Sequence, residues 1–227
     1  MNLFILSRNL QECVEWMFDK HIAKIILEAI QMLCTALRLV DPDGDIHTKV
    51  KLYRIAHKNH PVTVWMRTSL ENYLWTLDLV DVMHREWKYR YDHPEEKVHA
   101  SYKLMPFLRE YAPSADKFPM TGLTPFAQAM PDEYKHEDPI VAYQQYYQSP
   151  EKRRLASWKK RARPEWYKVE TGSKVTDIKV TGSKVETGSK DTENKVETGS
   201  KDTENKVETG SKDTENKVTG SNADSKA

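Results

Sequence analysis

Between Asp19 and Val40 the chain reads DKHIAKIILEAIQMLCTALRLV, the inverse of an ordinary surface helix. Placed at 100° per residue, Lys20, His21, Lys24, Glu28, Gln31, Thr35 and Arg38 share an arc of about 100°. Every other position from Ile22 to Val40 is apolar. A surface helix carries a polar face and a narrower apolar stripe, whereas here about 260° of the cylinder seeks burial. The pattern predicts a central helix with a thin polar seam. Two readings of that seam stand side by side. It is an edge open to water, with long charged side chains covering apolar neighbours, or a row of reactive groups facing a cleft.

Upstream, Asn2 to Leu6 is a short apolar run, readable as a strand or an extended arm. Ser7 and Asn9 are both suitable caps for a helix from Leu10, which is expected to run on into the central stretch with a bend near Phe18. The segment DPDGD, Asp41 to Asp45, stops it. That segment resembles a fragment of a calcium loop but lacks the later glutamate, so it reads as a turn. Pro61 suits a first helical position, with Asn59 or His60 as cap. The spacing of Trp65, Leu70, Tyr73, Leu74, Leu77, Val80 and Met83 then predicts a second long helix running to KYRY. Lys97 to Tyr111 predicts a shorter third helix, ended by Pro113. From Ala112 to Asp138 the chain is rich in Pro, Gly and Thr and reads as a long irregular loop. Pro139 opens a helix through Tyr147, in which Tyr143, Tyr146 and Tyr147 fit core packing. Ser149-Pro150-Glu151 restarts a helix expected to bear a basic cluster and Trp158.

Composition then divides the chain. Residues 168–227 contain no Phe, Trp, Tyr, Leu, Met or Cys, and VETGSKDTENK occurs there three times in succession, from Val185, Val196 and Val207. One valine per repeat builds no core, so a solvated coil is predicted, with an end-to-end span of roughly 45 Å. The expected fold is all-α: a compact single domain over 1–167 with three long helices, shorter C-terminal helices and long irregular loops. A disordered low-complexity tail over 168–227 follows. MNLFILS is too short for a signal-peptide core, and no apolar run reaches the length of about 18 residues that a membrane span needs. A soluble, intracellular monomer without a membrane partner is expected. Cys13 and Cys34 lack metal or CxxC spacing and read as reduced core thiols.

A formal net charge of +1 says little, but its distribution says more. Lys152, Arg153, Arg154, Lys159, Lys160, Arg161 and Arg163 fall in a stretch that contains no acid, a local patch suited to an anionic surface. His57, Lys58 and His60 gather at the start of the helix opened by Pro61, either as a phosphate site or as exposed loop histidines. Zinc is not expected, since His21 and Glu28 stand about 10.5 Å apart along a helix axis and no HExxH or cysteine pair is present. If Glu28 lies in a cleft beside Lys24 and Gln31, its ionisation becomes tunable.

Several of these local patterns, in the same order, resemble the phage endonuclease V-type pyrimidine-dimer DNA glycosylases. Asp19, His21 and Glu28 match a D-x-H helix with a glutamate seven residues after the histidine. His60 through VTVW into a helix ending KYRY is similar to the second core helix of that family. MPDEYKHEDP resembles its late Pro-Gln-Glu-Phe-type loop, and RPEWYK at 163–168 its C-terminal R-P-x-W-Y-K. The resemblance implies an N-terminal α-amine that attacks C1′ of a damaged nucleotide, a Schiff base, and strand cleavage by β-elimination, with no metal or organic cofactor. An α-amine is less basic than a lysine, so more of it is free base at neutral pH. Carried over, the nucleophile is the Met1 amine, since Asn2 is too large for ready removal of Met1, and Glu28 is the catalytic carboxylate. Asn2, His21, Lys24 and Gln31 would line the pocket, with His57, Lys58 and His60 also binding substrate. Arg161, Arg163, Trp166, Tyr167 and Lys168 would grip and stack on double-stranded DNA containing a lesion.

Three departures accompany the resemblance. The family exposes a small residue after Met removal. Leu27 and Gln31 stand where it has arginines beside its glutamate, and its YKYYG continuation is replaced by Lys168-Val169-Glu170-Thr171-Gly172. Two other functions fit the same residues. One is a different nucleotide- or RNA-directed hydrolase using His21, Glu28, His57 and His60; the other is a non-catalytic nucleic-acid binding module.

Overall fold

Arg90 is completely buried, and its guanidinium fixes how the first helices meet. In the computed structural model, which describes residues 1–169, α1 spans Leu10–Glu15 and α2 spans Asp19–Val40. The expected tail lies outside the described residues from position 170 on. Asn9, rather than Ser7, caps α1, its side chain accepting from Glu12 N–H at 3.0 Å. The two helices are separate rather than one bent rod. Arg90 supplies the reason, because its guanidinium takes the carbonyls of Val14, Glu15 and Met17 at the break. A helix end leaves such carbonyls without partners inside the helix. The same guanidinium pairs with Asp19 at 2.9 Å and Glu86 at 2.6 Å.

The arm Asn2–Leu6 forms no strand. Leu3, Phe4, Ile5 and Leu6 are all buried, and each contributes about 1.5–3 kcal/mol of apolar burial. Side chains take up its backbone polar groups: Gln144 donates to Leu6 O at 2.9 Å, and the Cys13 thiol bridges Leu6 N–H and Phe4 O. Cys13 and Cys34 are free and buried, and burial pushes each thiol up to about 11.

The second long helix divides into α4 (Pro61–Met66) and α5 (Leu70–Arg90), after the short α3 (Ile46–Lys49). Ser69 caps α5. Asn72 fills the gap, donating to Trp65 O at 2.8 Å and to Thr124 Oγ1 at 2.7 Å while accepting from Thr124 N–H. This knot ties the irregular segment after residue 112 to the helices. The third helix is shorter than expected, a 3-10 turn at Ser101–Leu104 followed by α6 (Met105–Glu110). Pro106 has no N–H to extend a ladder back through the turn. α2 packs against α4, α5 and α6 at the centre of the fold, as its pattern predicts.

α7 covers Pro139–Tyr147, and Tyr143, Tyr146 and Tyr147 are buried. The basic helix is reduced to α8 (Pro150–Arg153). Beyond it the backbone makes isolated turns and bonds to the domain: Asp19 N–H donates to Ser157 O, and Lys159 N–H to the Asp19 carboxylate. No helix among the described residues is long and apolar enough to cross a membrane.

Replacing Arg90 with methionine leaves Glu86 and Asp19 buried with one cation fewer. The expected loss is about 3–5 kcal/mol, read as a lower urea midpoint; an unchanged midpoint would show that the knot contributes no net stability. Burial pushes the Glu86 carboxyl up, but Arg161 and Arg90 outweigh it and hold the group below its ordinary value. Its contribution is therefore present above about pH 4.3 and lost as pH falls through the lower folded value.

Candidate functional site

The polar seam of α2 is closed at both ends and open in the middle. At its start, His21 is buried, stacked on Phe4 at 4.5 Å with Nδ1 2.7 Å from the Tyr147 hydroxyl. Toward its end, Thr35 is bonded to Ala56 and Arg38 donates to Tyr53 O and Leu52 O. Between them the seam offers the exposed Lys24 and the half-buried Glu28 and Gln31, while Lys20, ahead of His21, is also exposed.

The N-terminal arm ends on this opening. The Met1 amine lies 3.8 Å from Glu28 Oε2, and Asn2 N–H donates to the same oxygen at 3.1 Å. Lys24 Nζ stands 3.4 Å from Glu28 Oε1. Asn2 holds the arm in register, its side chain donating to Ala129 O at 2.8 Å and accepting from Leu3 N–H and the Tyr143 hydroxyl. The irregular segment is thereby part of the support for the N-terminus. A primary amine and a carboxylate are held within reach of one another on a buried arm and a central helix.

His60 completes the rim. Its Nδ1 accepts from Val62 N–H and caps α4. Burial lowers its basicity, the Met1 amine and His57 add to that, and Glu28 and the Met1 backbone oppose it. The helix start expected to take a phosphate thus already has an internal partner. His57 and Lys58 are exposed beside it, His57 with a left-handed φ of 49°.

His21 is placed beneath the opening rather than on its wall. Burial, reinforced by the charges of Lys152 and Lys24, depresses its pKa to about 3, so it is neutral at physiological pH.

The C-terminal residues are also placed differently from the expectation. Arg161 is spent on Glu86, at 2.7 Å, and on Glu15, at 3.2 Å, because these acids converge on it in space though not in sequence. Tyr167 is buried edge-on to Phe18 and Trp158, and Trp166 packs edge-on to Trp16 and Tyr147. Arg163 and Lys168 are exposed. Arg163 and Trp166 line a separate 640 Å³ groove with Glu12, Trp16 and Glu165. A second groove of 840 Å³ lies along the end of α5, between His84, Lys88, Tyr89, His93 and Lys160. Neither groove includes Met1 or Glu28 in its lining. Among the described residues no cluster of three His, Cys, Asp or Glu is placed to hold a metal ion.

One residue near the site escaped the sequence reading as an individual. Lys152, counted only within the basic patch, is half-buried with its ammonium 4.8 Å from the Tyr146 ring and 5.4 Å from the Phe4 ring. Comparison of the chain with family models, curated proteins and solved structures finds no match.

A proton NMR titration should show the His21 imidazole without an inflection between pH 5 and 8; an inflection near the ordinary value of about 6.5 would contradict its placement. Because the folded value lies below the unfolded one, stability from this group is complete above about pH 6.5 and declines as pH falls toward the folded value.

Proposed function

We propose that this chain is a DNA glycosylase with β-lyase activity acting on damaged pyrimidines in double-stranded DNA. The observation that carries the reading is the Met1 amine at 3.8 Å from Glu28 Oε2 on an arm locked by Asn2. A reaction of this class needs an amine nucleophile and a carboxylate acting on neighbouring atoms of one sugar, and this is the pairing the site supplies.

The amine nitrogen attacks C1′, the glycosidic bond breaks, and the base departs after taking up a proton. Glu28 stabilises the positive charge that develops on the sugar. Loss of the ring C1′–O bond and of a proton from nitrogen gives the imine. A carboxylate oxygen of Glu28 then removes a proton from C2′, the C3′–O bond breaks with the phosphate as leaving group, and water hydrolyses the imine to free the amine. No metal or organic cofactor takes part. The duplex would have to bend and extrude the damaged nucleotide to bring C1′ to the amine.

The hydrolase alternative draws on His21 as an acid or base, and that ring is buried and bonded to Tyr147. The binding-module alternative draws on the basic cluster, of which Arg161 is already paired with acids.

Borohydride should trap a covalent adduct with duplex DNA carrying an abasic site or a pyrimidine dimer, mapping to the N-terminal peptide. Residues added ahead of Met1 should remove that adduct. Glu28→Gln should lower turnover by about 10²–10⁴-fold with little change in binding. No adduct on any lesion would end the lyase reading.

A further inference from the structure

The basic cluster is not a uniform patch. Arg153 donates to Gln148 O at 2.6 Å and Lys168 O at 3.0 Å, and Arg154 to Glu151 O. Lys159 lies over Tyr91, Lys160 pairs with Asp92, and Arg161 pairs with Glu86 and Glu15. Lys152 differs from these lysines in being half-buried: it forms no ion pair among the described residues, and its ammonium rests on two rings, those of Phe4 and Tyr146.

Its position follows from three anchors. Lys152 N–H donates to Ser149 Oγ at 3.4 Å in the first turn of α8, and Ser149 is buried. Tyr146 belongs to the buried face of α7. Phe4 belongs to the arm that begins at Met1, and stacks on His21, one turn before Lys24 on α2. The side chain therefore lies between α7 and the N-terminal arm that carries Met1. Its electrostatic surroundings agree: burial lowers its basicity, Lys24 and Arg154 add to this, and Glu151 and Glu28 offset part of it. A lysine desolvated beside other cations keeps more of its free-base form than one in water.

From this placement we infer that Lys152 is a second carbonyl-reactive amine of the site, able to form an imine with the C1′ aldehyde of an abasic deoxyribose. The step adds Nζ to the aldehyde carbon. Both amine protons pass to the carbonyl oxygen, which leaves as water, and the C=N bond remains. Glu28 is the carboxylate whose charge reaches both amines. This substrate rests on the glycosylase reading above; the reactivity of the amine does not.

Two experiments separate the two. The full chain is first treated with pyridoxal 5′-phosphate, an aldehyde bearing a phosphate, then reduced with borohydride, and the modified lysines are mapped by mass spectrometry. Lys152 should be labelled severalfold faster than the exposed Lys58 and Lys135, with its rate rising at lower pH than theirs. Labelling no faster than those lysines overturns the inference, whatever the chain does to DNA. In the second, the chain with residues added ahead of Met1 is trapped on abasic duplex. The residual adduct should map to Lys152 and disappear in Lys152→Arg, which retains the charge and the ring contacts but forms no imine. An adduct undiminished by Lys152→Arg, or found on other lysines, overturns the inference. If neither the native nor the extended chain gives an adduct, while pyridoxal phosphate still selects Lys152, the glycosylase reading fails and the reactive amine stands.

Discussion

A guanidinium with no exposure to water is a costly object, and most of this fold is arranged around making one tolerable. Arg90 donates to two carboxylates and three backbone carbonyls, so its buried donors have partners. Desolvating a charge costs several kcal/mol, and only such complete pairing offsets it. The consequence is geometric. α1 must end where its carbonyls meet Arg90, α2 must begin with Asp19 against the same group, and the last turn of α5 must lie between them. Arg161 and the backbone of Lys159 extend the knot to the C-terminal segment through Glu86 and Asp19. A single desolvation problem thereby fixes the start of α2, and with it the direction in which Glu28 points two and a half turns later.

The N-terminal arm is the other half of the arrangement. Four consecutive apolar residues enter the core without strand partners, so their backbone groups depend on side chains: Cys13 of α1, Gln144 of α7 and Asn2 of the arm itself. Such an arm has one favourable register. A slip of one residue would exchange buried Leu3 and Phe4 for their neighbours and break the Asn2 contacts with Ala129 and Tyr143. The position of the Met1 amine is thus set by core packing rather than by local preference. That suits a terminal group, which would otherwise be the most mobile part of a chain.

The apolar periodicity of Asp19–Val40 was enough to read α2, its central place and the residues of its seam, because burial on that scale leaves a direct imprint on spacing. The same holds for Pro139–Tyr147, with Pro139 marking its start and three buried tyrosines its inner face. What spacing does not carry is partnership across the chain. Arg161 reads as a free cation until Glu86, 75 residues away, is folded against it. His21 reads as part of a reactive row until Tyr147, 126 residues away, closes over it. The break between α4 and α5 had a local sign in Ser69 and Asn72, but helical spacing continues across it, and the deciding partner is Thr124. Met1 and Glu28 were brought together by resemblance rather than by periodicity, and Lys152 was lost among its neighbours for want of any sequence mark.

The two oxygens of Glu28 have different surroundings, and the difference bears on how one carboxylate could both hold the arm and act on a sugar. Oε2 accepts the Asn2 N–H at 3.1 Å and lies 3.8 Å from the Met1 amine, on the buried side of the arm. Oε1 meets Lys24, whose side chain is 71% exposed and pays little to swing into water. On the proposed chemistry, Oε2 keeps the amine in place while Oε1 becomes available when Lys24 moves to an incoming phosphate. Leu27 and Gln31, the neighbours of Glu28 at i−1 and i+3 on α2, carry no charge. Glu28 is paired with Lys24 from the same helix, and the charge of Lys152 from α8 acts with it from a separate element. A guanidinium fork binds carboxylate or phosphate in a fixed bidentate geometry, whereas an ammonium acts as a point charge on a flexible stem and can exchange its partner. An ammonium partner therefore leaves the Glu28 carboxylate able to exchange it, where a guanidinium would hold it in one geometry.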